Sequence, residues 1–275
     1  MTPGRRLGQH FLADRNILRS IADALHPEST DVVLEIGPGT GSLTRVVAPR
    51  VARVVAVEKD RRLASECGMR NAECGIDNVE VVAGDALKLN WHALLEPHLA
   101  IPLSTFGIPH FKVLGNIPYN ITSPLIEKAL TPPLPRCIVL LVQTEVAERA
   151  AARPGSKAYG ALSVGVQAVC GVERLRAVPP GAFDPPPRVE STLVRLTPLA
   201  HPLVPPAERR RLRAFVTACF SRRRKQLRNA VMAATGRPAA PVTEGLRALG
   251  LDAAARPETL APEAFVRLLR WSDRL

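Results

Sequence analysis

The chain has 275 residues, 46% hydrophobic and 23% charged, which is enough for one large domain or a main domain with a small appendage; its longest clearly apolar run, Cys137 to Val142, is too short to span a bilayer. Five cysteines without a CxxC pair and six scattered histidines without HExxH or HxxxH spacing argue against a disulfide framework or a zinc ribbon, so no metal is expected and a reducing cytoplasm is the expected location. A net charge of +12 draws polyanions, chiefly nucleic acid, and "MTPGRRLGQH" has no apolar core after its arginines, so neither a secretory signal nor a membrane anchor is expected.

In chain order, apolar β-branched runs recur at "VVLEI" (Val32 to Ile36), "RVVAVE" (Arg53 to Glu58), "VEVVAGD" (Val79 to Asp85), "FKVLGN" (Phe111 to Asn116) and "CIVLLVQ" (Cys137 to Gln143). Segments of helical character such as "SLTRVVAPRV" and "RRLASECGMRNA" lie between them. Strands that are hydrophobic throughout and alternate with helices predict an α/β fold with a parallel sheet covered on both faces. Two later runs, "VGVQAVCGVERLRAV" and "ESTLVRLTP", flank the proline-rich "PPGAFDPPPR" and read as a final pair of strands.

The segment "TPLAHPLVPP", with four prolines in ten residues, reads as a linker. Beyond it Leu212, Phe215, Val216, Cys219, Phe220, Leu227 and Val231 recur at helical spacing until Gly236 and Pro238. The expected division is therefore 1–198 for the α/β domain and 199–275 for a small all-helical one. The window Glu208 to Arg228 holds nine Arg or Lys and one acid, a clustering that uniform coding bias does not produce. Its apolar stripe is expected to pack on the small domain while Arg222, Arg223, Arg224, Lys225 and Arg228 meet phosphates.

The first strand runs into "EIGPGTGSLT", whose Gly37, Gly39 and Gly41 permit a tight turn and close backbone approach to a ligand. The second ends in Glu58, 21 residues after Gly37, where an acid can accept both hydroxyls of a ribose. The third leads to Asp85, able to accept a hydrogen bond from an adenine amino group, and the fourth ends in Asn116 of "GNIPYN". Any one of these acids is as easily a helix cap. Suitable polar groups at successive strand ends point instead to the ligand edge of an open α/β sheet.

"GQHFL", "EIGPGTGSLT", "VEKD", "GDAL" and "GNIPYN" resemble the motif series of the ribosomal RNA adenine dimethyltransferases, the KsgA family. "VQTEVAERAAARPGSKAYGALSV", "AFDPPPRVESTLVRL", "FSRRRKQLRN" and "LGLDAAARPETLAPEAF" are similar to that family's later blocks, so the resemblance runs nearly end to end. It implies a Rossmann-like methyltransferase sheet that takes S-adenosylmethionine, with cofactor contacts at His10, Leu12, Gly37, Gly39, Glu58, Asp85 and Asn116. Many members have Asn at the position of His10 and Lys at that of Thr144.

The exocyclic amine of adenine is a poor nucleophile because its lone pair is delocalised into the ring. The Asn116 side-chain oxygen and the carbonyl of Ile117 or Pro118 are expected to accept its two hydrogens and favour a pyramidal nitrogen. Tyr119 is expected to stack on the base, which must leave its own stack, and Phe183 to cover the other face. No general base is required, because the methylated cationic amine loses its proton to water. The resemblance implies dimethylation of two adjacent adenines in a hairpin loop near the 3' end of small-subunit ribosomal RNA, within the immature subunit, by a monomer. Alternatives are a macrolide-resistance methyltransferase of large-subunit RNA, a noncatalytic assembly factor that binds RNA, and a nicotinamide-dependent oxidoreductase. The last would carry GxGxxG and has no use for Asn-Ile-Pro-Tyr.

Overall fold

The computed structural model describes residues 10–99, 111–222 and 224–274. It opens with a two-residue strand, β1 (Phe11–Leu12), and a helix, α1 (Arg15–Ala24). The Asp14 carboxylate caps that helix by accepting from the backbone N–H groups of Asn16 and Ile17 at 2.8 and 3.1 Å. Ile17, Leu18, Ile21 and Ala22, at three- and four-residue spacing, are its buried face.

Then strands and helices alternate: β2 (Val32–Ile36), α2 (Thr44–Val47), β3 (Arg53–Glu58), α3 (Arg61–Glu73), β4 (Val79–Ala83), α4 (Trp91–Leu95), β5 (Phe111–Asn116), α5 (Thr122–Ala129) and β6 (Cys137–Gln143). All five residues of β2 are buried, as a central strand covered on both faces requires. After β6 come α6 (Thr144–Ala151), α7 (Ala161–Gln167), β7 (Cys170–Val178), β8 (Phe183–Asp184) and β9 (Ser191–Pro198). The seven-stranded sheet has the order β4-β3-β2-β5-β6-β9-β7. β4, β3, β2, β5 and β6 are parallel, and β9 runs antiparallel to β6.

The chain steps outward from β2 to β3 to β4 and then returns to the other side of β2 for β5. Neighbouring strands diverge in connection direction between β2 and β5, and a crevice opens there at the carboxyl ends. In register, Ile36 lies beside both Val57 and Gly115, so the glycine loop leaves the sheet level with the ends of its neighbours. β1 pairs antiparallel with β8, Phe11 beside Asp184 and Leu12 beside Phe183.

The chain divides into two compact units, residues 1–147 with 173–198, and residues 148–172 with 199–275. This differs from a single boundary at 198, because Glu148–Val172 packs with the carboxyl-terminal helices. Within that second unit Tyr159 is fully buried, donates its hydroxyl to the Leu260 carbonyl at 2.8 Å, and meets Phe220 edge-on. Such a buried phenol needs both the apolar wall and the acceptor.

The second unit also holds α8 (Pro206–Ser221), α9 (Leu227–Thr235), α10 (Ala239–Ala248) and α11 (Pro262–Ser272). Of the expected apolar positions, Leu212, Phe215, Val216, Cys219, Leu227 and Val231 are buried and Phe220 is half-buried. Two sequence readings differ. Val164 to Gln167, expected as strand, is helix α7, whose Ser163 hydroxyl accepts from the Gly160 N–H and donates to the Arg149 carbonyl. The expected linker ends β9 and then lies against the unit: Leu199 and Leu203 donate to the Val169 and Ala168 carbonyls at 2.9 and 2.8 Å, and Val204 is buried. Proline there stiffens a packed strap.

Candidate active site

The glycine loop, the ends of β3 and β5, the turn after β4 and the segment from His10 to Leu12 line one cleft. His10, Leu12, Gly37, Gly39, Glu58, Asp85, Asn116, Pro118 and Tyr119, far apart in sequence, all reach it. Gly37 and Gly39 have φ of 70° and 57°, a region that side-chain-bearing residues enter at a cost. A Cβ on Gly39 would also stand 2.9 Å from the Phe11 ring, so the loop and the β1 strand fit only with glycine between them.

Glu58 is almost wholly buried, and its oxygens accept from the backbone N–H groups of Gly39 at 3.1 Å and Asp60 at 2.9 Å. Burial raises its pKa, and those N–H groups hold the rise in check. Each carboxylate oxygen has a second lone pair, which suits the vicinal hydroxyls of a ribose. Asp85 lies beyond the end of β4, in a helical turn. Its carboxylate accepts from the Leu87 N–H at 2.9 Å and pairs with Lys59 at 3.0 Å, and the Lys59 contact lowers its pKa most. It is therefore a charged acceptor, the state that recognises an exocyclic amine.

Asn116 ends β5 with its Nδ2 donating to the His10 carbonyl at 2.9 Å. That carbonyl only accepts, so the amide is oriented and Oδ1 is the atom left to take a hydrogen bond from a ligand. Tyr119 follows on a 3-10 turn, with its hydroxyl 2.8 Å from the buried Ser191 hydroxyl and its ring stacked on His10 at 5.8 Å between centroids. The His10 Nδ1 lies 2.8 Å from the Pro185 carbonyl. His10 thus holds Asn116 through its backbone and Tyr119 through its ring.

Two expected placements differ. The Pro118 carbonyl already accepts from Ile121 N–H at 3.1 Å and the Thr122 hydroxyl at 3.4 Å, so its lone pairs are engaged in the turn. Phe183 is 5% exposed, packs in the core cluster that includes Leu12 and Leu18, and backs the wall without lining the cleft. It is drawn there by β8 pairing with β1, an interaction with no local sequence signal.

Sequence reasoning missed Glu35 and Lys59, both of which line the cleft. Glu35 was in plain sight at the end of the first apolar run, one residue from the glycine loop. It is buried, its Oε2 has no hydrogen-bond partner, and burial pushes its carboxyl up to about 7, opposed by Thr44.

In the second unit the basic run is two helices joined by a turn. Arg222 caps α8, and Arg222, Arg224 and Lys225 are exposed, whereas Arg228 is half-buried in the first turn of α9. Arg223 lies outside the described residues. Among the described residues there is no group of three potential metal ligands, and no helix is long and apolar enough to cross a membrane.

A family model described as ribosomal RNA adenine dimethylase matches residues 3–271. The chain belongs to that family. The "Ribosomal RNA small subunit methyltransferase A" of Syntrophotalea carbinolica is 40% identical over 97% of this chain and 95% of its own length. The protein of the same name from Moorella thermoacetica is 39% identical over 98% and 92%. A dimethyladenosine transferase from Plasmodium falciparum superposes with a TM-score of 0.81 at 30% identity, covering 96% of this chain and 98% of that one. The 23S rRNA methyltransferase ErmE gives 0.71 at 29%, over 96% and 99%. Membership in the dimethylase family makes the chain a methyltransferase with a Rossmann-like fold, and the oxidoreductase alternative falls away.

Proposed function

We propose that the protein dimethylates the exocyclic amines of two adjacent adenosines in a hairpin loop near the 3' end of small-subunit ribosomal RNA, in the cytoplasm and as a monomer acting on the immature subunit. S-adenosylmethionine bound in the cleft would supply an electrophilic sulfonium methyl. Glu58 would accept the ribose hydroxyls, Asp85 the adenine amine of the donor, and the backbone of Gly37 and Gly39 would lie against its remainder, with His10 and Leu12 as the opposite wall. The carrying observation is the fixed amide of Asn116: the His10 carbonyl takes its Nδ2, which leaves Oδ1 as acceptor for one hydrogen of the target amine.

With both lone pairs of the Pro118 carbonyl engaged, the Ile117 carbonyl is the second acceptor. The two together pull the nitrogen toward tetrahedral geometry, and the proton released after transfer goes to water. Tyr119 supplies an aromatic face, worth about 1–3 kcal/mol for a stacked base. Arg222, Arg223, Arg224, Lys225 and Arg228 would hold phosphates, in a way that weakens steeply with salt.

The test is mass spectrometry of immature small subunits incubated with protein and methyl donor. Dimethyladenosine is expected with wild type, and Asn116→Ala is expected to cut turnover by about 100- to 1,000-fold, the usual loss for one oriented hydrogen-bonding group. Methyl transfer to naked large-subunit RNA alone would favour the macrolide-resistance reading, which the likeness to ErmE keeps in play. RNA binding without turnover would favour a noncatalytic factor.

A further inference from the structure

Asp85 starts a helical turn whose backbone carbonyls have no continuing helix to donate N–H groups to them. Its own carbonyl takes the N–H groups of Lys88 and Leu89. Three of the next four carbonyls are met by side chains: Ala86 by the buried Trp91 indole N–H at 2.8 Å, and Leu87 and Leu89 by the Lys128 ammonium at 2.8 and 2.6 Å. Lys128 also sits over the Trp91 ring, 5.5 Å from its centroid. It belongs to α5, the helix that the Asn116–Tyr119 turn runs into. One side chain therefore ties the loop carrying Asp85 to the helix that follows the catalytic turn.

We propose that Lys128 is a positioning residue for the methyl donor: by capping Leu87 and Leu89 it sets the angle at which the Asp85 carboxylate enters the cleft. The proposal rests on the cleft being the S-adenosylmethionine site. The capping is charge-assisted and two-pronged, which makes it stronger and more directional than a neutral contact. Burial lowers the Lys128 pKa while the charge of Asp85 opposes that shift, so the ammonium and the carboxylate sense one another without touching. Lys59, the direct partner of Asp85, is largely exposed and holds only the carboxylate tip.

The experiment is a double-mutant cycle on S-adenosylmethionine affinity by calorimetry, with wild type, Lys128→Met, Asp85→Ala and the double variant. Lys128→Met is expected to weaken binding about 10- to 100-fold, the range for hydrogen bonds to a charged group. The double variant is expected to bind as Asp85→Ala does, because Lys128 acts only through that carboxylate. Lys128→Gln carries the same cycle if the methionine variant does not fold. Wild-type affinity in Lys128→Met, or losses that multiply in the double variant, would each overturn the proposal. Failure of wild type to bind S-adenosylmethionine would overturn the reading of the cleft instead.

Discussion

The two edges of the parallel sheet use the same residue types to opposite ends. Where β5 begins, Lys112 and Asp31 are both almost wholly buried and meet at 2.6 Å; Lys112 also donates to the His26 carbonyl, and Asp31 accepts from the Glu28 N–H at 2.7 Å. Charge there is cancelled by charge. At the edge where β3 ends, Glu58 is buried just as deeply but is met by backbone N–H groups, which stabilise a carboxylate and leave lone pairs over. A buried acid facing a lysine closes a structure, whereas a buried acid facing amides keeps a place for something else.

The sharpest way to break this contrast is Lys112→Met. It strands Asp31 without its counter-ion, and a loss of about 3–5 kcal/mol in unfolding free energy is expected from denaturant titration, with S-adenosylmethionine affinity of the folded fraction unchanged. If affinity fell in step with stability, the edges would not be separable.

Glu35 sharpens the other side. Its folded pKa of about 7 stands above the ordinary 4.5, so the folded state holds a proton that the unfolded state has lost, and its contribution to stability declines as pH rises between those values. The difference in unfolding free energy between wild type and Glu35→Gln is therefore expected to move against wild type from pH 4.5 to about 7 and then level off. A flat difference measured across that range would show that the carboxyl is not strained by its burial.

The smallest effect belongs to Tyr119→Phe, which removes the bond to Ser191 and keeps the ring. A stability loss of about 1 kcal/mol is expected, with KM for RNA changed less than about threefold, because the stacking face survives. A large rise in KM would assign the hydroxyl to substrate.

Most of the sheet was legible because its strands are largely apolar and β-branched and are bounded by turn or polar residues: β2, β3, β5 and β6 begin and end where the runs do. The cleft was legible for the same reason, since Glu58 and Asn116 are the last residues of their strands. What escaped were features fixed by distant partners. The burial of Phe183 follows from its pairing with Leu12, the His10–Tyr119 stack joins residues 109 apart in sequence, and Lys128 reads locally as one more exposed helix lysine. Val164 to Gln167 misled because β-branched residues fit a strand, while Ser163, one position earlier, binds the Gly160 N–H and the Arg149 carbonyl and so starts a helix.

The pairing of β1 with β8 also sets a schedule for making the protein. Synthesis proceeds from the amino terminus, so every strand of the parallel sheet is available once residue 143 has emerged, yet Phe11 and Leu12 have no strand to pair with until Phe183 and Asp184 follow. A nascent chain halted between those points would own a sheet and a glycine loop but lack the anchor of the cleft wall at His10 to Leu12, so the finished cleft is expected to be a late product of translation.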